Sequence, residues 1–427
     1  MDSTDFIMIA QPTAGYDCII IGGGPSGSTV GTLLADFGHR VLILEQGKFP
    51  RHHIGESLMP HTYWVFKRLG MLEKMNRSPF PRKESVQFVS ANGQESQPFF
   101  FPDRDPNEWS TTWQVRRDLF DQMMLDNAAE HGAEVRLGVR VKEVLFDGDR
   151  AVGVRAVVDG RPTDIPAKVV IDASGVCGLL SKQLGIRVGD PGLKNAAIYA
   201  YYKDAFVDEG RNAGATIVIH TPNKMGWFWF IPLPDRITSI GIVAPPSCII
   251  TGRGDDPLAT LEQEIEDCPS IAKRIVGAKR VSGSYVTSDF TYRSRQLAGN
   301  GWVMVGDAFC FLDPIYSSGV MLALQSGAFA ADAIHDALGA DDVSGKRLGV
   351  FGQSLVNGIH AIRRLVYTYY DREFSFAKFM KARPHCHDPL VRTLIGDVFH
   401  DENEVLFEHL KDFTTLPDNF DLDRSRN

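Results

Sequence analysis

Tyr16-Asp17-Cys18-Ile19-Ile20-Ile21-Gly22-Gly23-Gly24-Pro25-Ser26-Gly27-Ser28 is the stretch that decides the fold. The first six residues read as a short buried strand, and Ser28 to Phe37 as a helix that ends at Gly38. Val41 to Leu44 reads as a second strand, closed by Glu45. Strand, glycine turn, helix, strand and acid within so short a span form the dinucleotide-binding fingerprint Gly22-x-Gly24-x-x-Gly27. Gly22 permits the tight turn, Gly24 lets the backbone approach a pyrophosphate, and Gly27 lets helix and strand pack closely. The helix start at Ser28 presents N–H groups to phosphate, and Glu45 stands where a carboxylate accepts from a ribose hydroxyl. NAD and FAD share this fingerprint, so the turn alone does not choose between them.

The turn lies inside Cys18 to Ala35, 18 positions without a charged residue, and Pro314 to Ala331 is a second stretch of the same length. Eighteen is the lower edge of a membrane-spanning helix. Gly22-Gly23-Gly24-Pro25 in one, and Pro314, Ser317, Ser318 and Gly319 in the other, argue against a lone helix in lipid. No membrane span is expected. Across 427 residues the net charge is −8, so no basic footprint points to nucleic acid. Six cysteines without a Cys-x-x-Cys read as reduced thiols, and Met1 to Gly15 shows no basic signal region. A cytoplasmic location is expected.

Further along the chain, Gly301 to Val305 is an apolar strand leading into Gly306-Asp307-Ala308, and Val169 to Ile171 leads into Asp172-Ala173-Ser174-Gly175. With Val115-x-Arg117-x-x-Phe120-Asp121, these resemble the flavoprotein monooxygenase superfamily of the glutathione-reductase-type fold. The resemblance implies FAD, with Asp307 at its ribityl–pyrophosphate region and Arg117 near it. No second glycine fingerprint follows a strand, so a separate nicotinamide unit is not evident.

Three motifs narrow the family. Phe311-Leu312-Asp313-Pro314-Ile315-Tyr316-Ser317-Ser318-Gly319 fits F-x-x-P-x-x-S-x-G, and Trp227-Phe228-Trp229-Phe230-Ile231-Pro232 fits W-x-W-x-I-P. Arg51 to Pro60 supplies R-x-x-x-G-E-S-x-x-P, with Glu56 and Ser57 at its centre. Together these closely resemble the flavin-dependent halogenases, nearer the phenol/pyrrole branch than the free-tryptophan branch, from about Tyr16 to about Ala331.

The resemblance implies a reaction in which FADH2 and O2 give a flavin hydroperoxide, chloride or bromide attacks it, and hypohalous acid is relayed by a lysine to an aromatic ring. Lys83, in Phe80-Pro81-Arg82-Lys83-Glu84-Ser85, matches the family's F-x-x-K and takes that role, as a chloramine former or as a hydrogen-bonding ammonium. Glu84 departs from the small residue expected there; pointed inward it pairs with Lys83, pointed outward it does not. The resemblance also implies that Ser317, Ser318 and Gly319 bind the halide, with the N–H groups of Ser318 and Gly319 as donors, and that Pro314 lies beside the flavin. Trp227 and Trp229 share one strand face and are implied to hold substrate away from the flavin. Glu56 and Ser57 line the flavin or the tunnel, or cap a helix.

Other features are discounted. His385-Cys386-His387-Asp388 reads as a loop rather than a metal cluster, so no metal is expected. Asp289 reads as an ordinary polar residue, and the aromatic-rich helix from Ile359 to Met380 either lids the substrate pocket or simply packs.

The expected fold is α/β: a glutathione-reductase-type FAD-binding domain from residues 1–85, 112–190 and 285–345, a sheet-containing substrate domain from 86–111 and 191–284, and a helical C-terminal region over 346–427. The expected function is halogenation of an electron-rich phenol or pyrrole, free or on an acyl or peptidyl carrier protein, with a separate flavin reductase. A flavin-dependent aromatic monooxygenase, a prenyl-chain-saturating flavin reductase and a flavin-binding regulatory protein are the competing readings.

Overall fold

A computed structural model describes residues 15–103, 106–288, 291–400, 403–420 and 422. Tyr16–Ile21 forms the expected strand and is the pivot of the first sheet. It pairs in parallel with Val41–Glu45 on one side and with the end of Arg161–Asp172 on the other, Ile20 lying opposite both Ile43 and Ile171. Glu134–Leu137 and Trp302–Met304 extend the sheet outward, also in parallel. Ile19, Ile20, Leu42, Ile43, Val169, Val170 and Val303 are fully buried, as strands covered on both faces require. The chain builds one side of the sheet first and then crosses to the other. Tyr16–Ile21 therefore borders the switch point, where α/β sheets bind ligands beyond the strands' carboxyl ends.

The second sheet is mainly antiparallel. Its central strands are Ala196–Lys203, Ile237–Ala244, Trp227–Pro232 and Thr216–His220, with Ser85–Val89 added in parallel and Phe99–Phe100 antiparallel at the edge beyond it. Alternation along Trp227–Pro232 splits its side chains between two cores. Trp227, Trp229 and Ile231 face the main core, whereas Phe228 and Phe230 face a smaller cluster with Ile240, Ile242 and Leu261.

Both uncharged stretches resolve into short elements. The first holds the Tyr16–Ile21 strand, the glycine turn and the Pro25–Asp36 helix. The second holds a 3-10 turn over Pro314–Tyr316 and the Gly319–Gly339 helix, which packs on the first helix. Among the described residues no helix is long and apolar enough to cross a membrane. All six cysteines are free thiols. Asp289 lies outside the described residues.

Candidate active site

The glycine turn has the form its residues require. Gly22 has φ +106°, and a Cβ there would lie 2.5 Å from the Ala173 carbonyl. A Cβ on Gly27 would lie 2.0 Å from the Gly22 carbonyl, so only glycine lets the helix come this close. The Glu45 carboxylate closes the turn, accepting from the N–H of Gly23 at 2.9 Å and of Gly47 at 2.7 Å. Ser28 is turned inward rather than toward a phosphate. Its N–H donates to the Gly24 carbonyl and its hydroxyl to the Gly23 carbonyl, so it shapes the turn. Among the described residues the N–H groups of Gly24, Ser26 and Gly27 have no acceptor, although Ser26 and Gly27 are buried and Gly24 is half-buried. Buried orphan donors at a helix start fit the pyrophosphate of FAD.

Arg117 is buried and pairs with Asp121 at 2.7 and 3.0 Å. Its remaining amino group donates to the Ile54 carbonyl at 2.6 Å, riveting the Arg51–Pro60 segment to the start of the Arg117–Glu130 helix. The same guanidinium partly offsets the desolvation that pushes Asp307 up to about 7. Asp307 and Arg117 thus share one electrostatic neighbourhood at the carboxyl end of the sheet.

Glu56, Ser57 and Leu58 join that neighbourhood to Lys83. Glu56 is buried, and burial pushes its carboxyl up to about 7, opposed by the hydroxyls of Ser239 and Tyr201 and by Arg117. Tyr201 donates to Glu56 Oε1 at 2.7 Å. Ser239 accepts from Trp229 Nε1 at 3.0 Å, so Trp229, Ser239 and Glu56 are neighbours. Ser57 Oγ lies 2.8 Å from Thr216 Oγ1, which accepts from Gln114 Nε2 at 2.8 Å.

Lys83 is only 4% exposed, on a two-residue strand pairing Arg82–Lys83 with Thr112–Trp113. Its Nζ donates to Ser57 Oγ at 2.8 Å and to the Leu58 carbonyl at 2.9 Å. Loss of solvent alone brings the amine down from the usual lysine range to about 7. Glu84 points the other way and accepts from Arg211 Nε at 3.3 Å, so it does not hold Lys83 charged. Nζ also lies 5.7 Å from the centre of the Phe101 ring. Phe101 lines an open groove of about 1190 Å³ whose other walls include Trp64, Phe99, Trp109, His387 and Ile395. Lys83 therefore reaches Ser57 and Leu58 on one side and the groove wall on the other.

The second uncharged stretch meets the tryptophans through a network that motif spacing does not reveal. Trp227 Nε1 donates to Tyr370 Oη at 2.8 Å, and Tyr370 donates to Asp313 Oδ2 at 2.9 Å. Asn195 donates to the same oxygen at 2.9 Å, while Asp313 Oδ1 caps the Pro314 turn through the Ile315 N–H at 3.1 Å. Asp313 is fully buried, and desolvation pushes its carboxyl up to about 6. The aromatic helix packs onto the tryptophan face, with Tyr369 stacked on His220 at 5.0 Å and edge-on to Trp227 at 6.5 Å. The sequence carries Asp313 only as an unassigned position of the F-x-x-P motif and Tyr370 only as one aromatic of the Ile359 to Met380 run, and nothing in it points to Asn195.

Past this turn, Ser317 has φ +59°, and Ser318 returns to helical angles. A left-handed residue between right-handed ones makes a concave nest of N–H groups. The Ser317 N–H donates back to the Pro314 carbonyl, whereas those of Ser318 and Gly319 have no acceptor among the described residues. An anion fits there, and no carboxylate caps the helix that follows.

The His385-Cys386-His387-Asp388 run, expected as a loop, closes the Pro384–Cys386 3-10 turn and opens the His387–Ile395 helix. His387 and Asp388 pair with each other at 3.5 Å, but His385 and Cys386 meet His409 from a distant helix. Spacing along one segment does not show that His409 comes near.

Comparison with known proteins identifies the family. A model described as tryptophan halogenase matches residues 17–104 and 102–390. A 1H-pyrrole-2-carbonyl peptidyl-carrier-protein brominase of Pseudoalteromonas luteoviolacea is 35% identical over 330 residues, covering 77% of this chain and 79% of that relative. The corresponding chlorinase of Pseudomonas fluorescens is 30% identical over 408 residues, 90% of each chain. Among solved structures, the flavin-dependent brominase Bmp2 superposes with a TM-score of 0.84 at 29% identity, covering 93% of this chain and 99% of its own. The myxobacterial chondrochloren halogenase CndH gives 0.78 at 33% identity, covering 92% of both. The chain belongs to the tryptophan halogenase family: it is a flavin-dependent halogenase that uses FAD and a halide to halogenate aromatic rings.

Proposed function

We propose that the substrate is a pyrrole or phenol ring presented as an acyl group on a peptidyl carrier protein, and that Lys83 is the residue at which halogen transfer occurs. The buried Lys83 amine, set between Ser57 and the Phe101 wall of the groove, is the observation that carries this reading. Both pyrrole relatives act on carrier-bound rings. A groove of about 1190 Å³ is far larger than one ring, leaving room for an attached arm.

When bound, reduced FAD with O2 supplies the oxidant that converts halide to hypohalous acid. FAD is held by the Gly22–Gly27 turn, Glu45, Arg117 and Asp307. Ser317, Ser318 and Gly319 receive the halide beside it, Pro314 fixing the turn that orients them. Trp227 and Trp229 wall the substrate off from that side. As ammonium, Lys83 donates a proton to the oxygen of hypohalous acid while the ring's electron pair attacks the halogen. The halogen–oxygen bond breaks, water leaves, and Lys83 is left as the neutral amine. That amine takes the proton from the substituted ring carbon, restoring both the aromatic ring and the ammonium. A pKa near neutrality suits a group that must give and then take one proton.

The division of labour in this reading gives FAD binding to residues 1–85, 112–190 and 285–345, the substrate face to 86–111 and 191–284, and the cover of the tryptophan face to 346–427; the two sheets favour it except at Tyr285–Ser288, which pairs with Ala196–Lys203 in the second sheet. A separate flavin reductase supplies FADH2, because no second glycine fingerprint follows a strand.

The test is halogenation of pyrrolyl- and hydroxybenzoyl-loaded carrier protein, with FAD, a flavin reductase, NADH, O2 and bromide. Brominated carrier-bound product is expected, with the free acids at least ~10-fold poorer. Equal turnover of the free acids would overturn the carrier assignment. Halogenation by Lys83→Met at the wild-type rate would overturn the role of Lys83, leaving the class intact.

A further inference from the structure

We propose that His385, Cys386 and His409 form a zinc site, outside the halogenation machinery, that clips the two terminal helical segments together. His385 and Cys386 lie in the 3-10 turn Pro384–Cys386, immediately before the His387–Ile395 helix. His409 lies in the last turn of the Glu404–Leu410 helix. One ligating atom from each comes within 4.8 Å of the other two. The two imidazoles stand edge to face with centres 4.6 Å apart, at 75°.

Ligands on a tetrahedral zinc with bonds of about 2.0–2.3 Å sit roughly 3.3–3.8 Å from one another. The three atoms, all within 4.8 Å of one another, need to close by about 1 Å to reach those separations. Among the described residues none of the three ligating atoms makes a hydrogen bond, so binding displaces no hydrogen-bond partner there. Two imidazoles and one thiolate form a borderline donor set that suits Zn2+, whereas Mg2+ and Ca2+ seek oxygen. On binding, the Cys386 S–H proton is released to solvent and the thiolate forms the Zn–S bond; no electron transfer is involved. His385 is exposed, so the fourth position faces solvent and holds water.

The neighbours define the site's limits. Arg383, whose charge favours the Cys386 thiolate, pairs with Asp412 at 3.2 Å and lies over the Phe413 ring. His387 pairs with Asp388 and is not among the converging ligands. The His387–Ile395 helix carries groove-lining residues, among them His387, Arg392 and Ile395. A clip at its start would fix one wall of the groove relative to the Glu404–Leu410 helix.

The experiment uses the full chain, stripped with a chelator and titrated with Zn2+, then separately with Co2+ under reducing conditions. Expected are about one equivalent bound, a thiolate-to-cobalt charge-transfer band, and a higher melting temperature with Zn2+. Cys386→Ser should abolish the band, and His409→Ala should weaken Zn2+ binding by at least about 10-fold. His387→Ala should leave all three readouts unchanged, and circular dichroism confirms that each variant folds. Substoichiometric binding, no charge-transfer band, or binding unaltered by Cys386→Ser and His409→Ala would overturn the assignment. None of these readouts depends on halogenation activity.

Discussion

Lys83 and Glu56 are a base and an acid brought to nearly the same pKa by the same cause, loss of water. Their effects on stability have opposite signs. Lys83 falls from the usual lysine range to about 7, so between those limits the unfolded chain binds more protons and stability rises with pH. Glu56 rises to about 7, so the folded chain binds more protons over its interval and stability falls as pH rises. Lys83→Met should therefore raise the unfolding free energy most at or below pH 7, with the gain shrinking toward pH 10. Glu56→Gln should stabilise above pH 7 and lose that advantage near pH 4.5. Urea titrations across this range check both, and a pH-independent difference for either would contradict the burial argument. In single turnover, halogen transfer should decline above pH 7 as the Lys83 ammonium is lost. Lys83 was legible as a motif residue, but its burial and the outward turn of Glu84 toward Arg211 were not. Neighbouring residues on a strand face opposite sides, and the packing decides which side is inside.

Turn geometry governs the elements that hold anions. Ser317 adopts a left-handed conformation that costs a side-chain-bearing residue about 1 kcal/mol and a β-branched one more. Ser317→Gly should keep the halide KM within about twofold, whereas Ser317→Val should raise it roughly 10-fold or more by opening the nest. Initial rates at varied bromide distinguish the two. At the glycine turn, Gly27→Ala would place a methyl group against the Gly22 carbonyl. The purified variant should carry little FAD by its visible absorbance, and full occupancy would show that the turn is not what grips the cofactor. Both elements could be read from sequence because glycine, proline and serine patterns report local backbone. Ser28 could not be read correctly, since whether a turn serine faces outward or closes the turn depends on its rotamer.

At the scale of the whole molecule, Tyr370 links the helical C-terminal region to both signature motifs through Trp227 and Asp313. Tyr370→Phe leaves a buried indole N–H and a buried carboxylate each short of a partner, which costs about 1–3 kcal/mol. A melting temperature equal to wild type would show that this network is not holding the region in place. The sequence by itself determined the α/β architecture, the flavin turn, the Trp227 and Trp229 face, the Ser317 nest and the lysine to examine. Each of these rests on residues close in the chain, where spacing and backbone preference carry the information. Only the tertiary structure decided that Asp313, Asn195 and Tyr370 meet, that His409 reaches His385 and Cys386, and that Lys83 is dry. Those facts depend on distant segments excluding water from one another, and no local pattern records which distant segment will arrive.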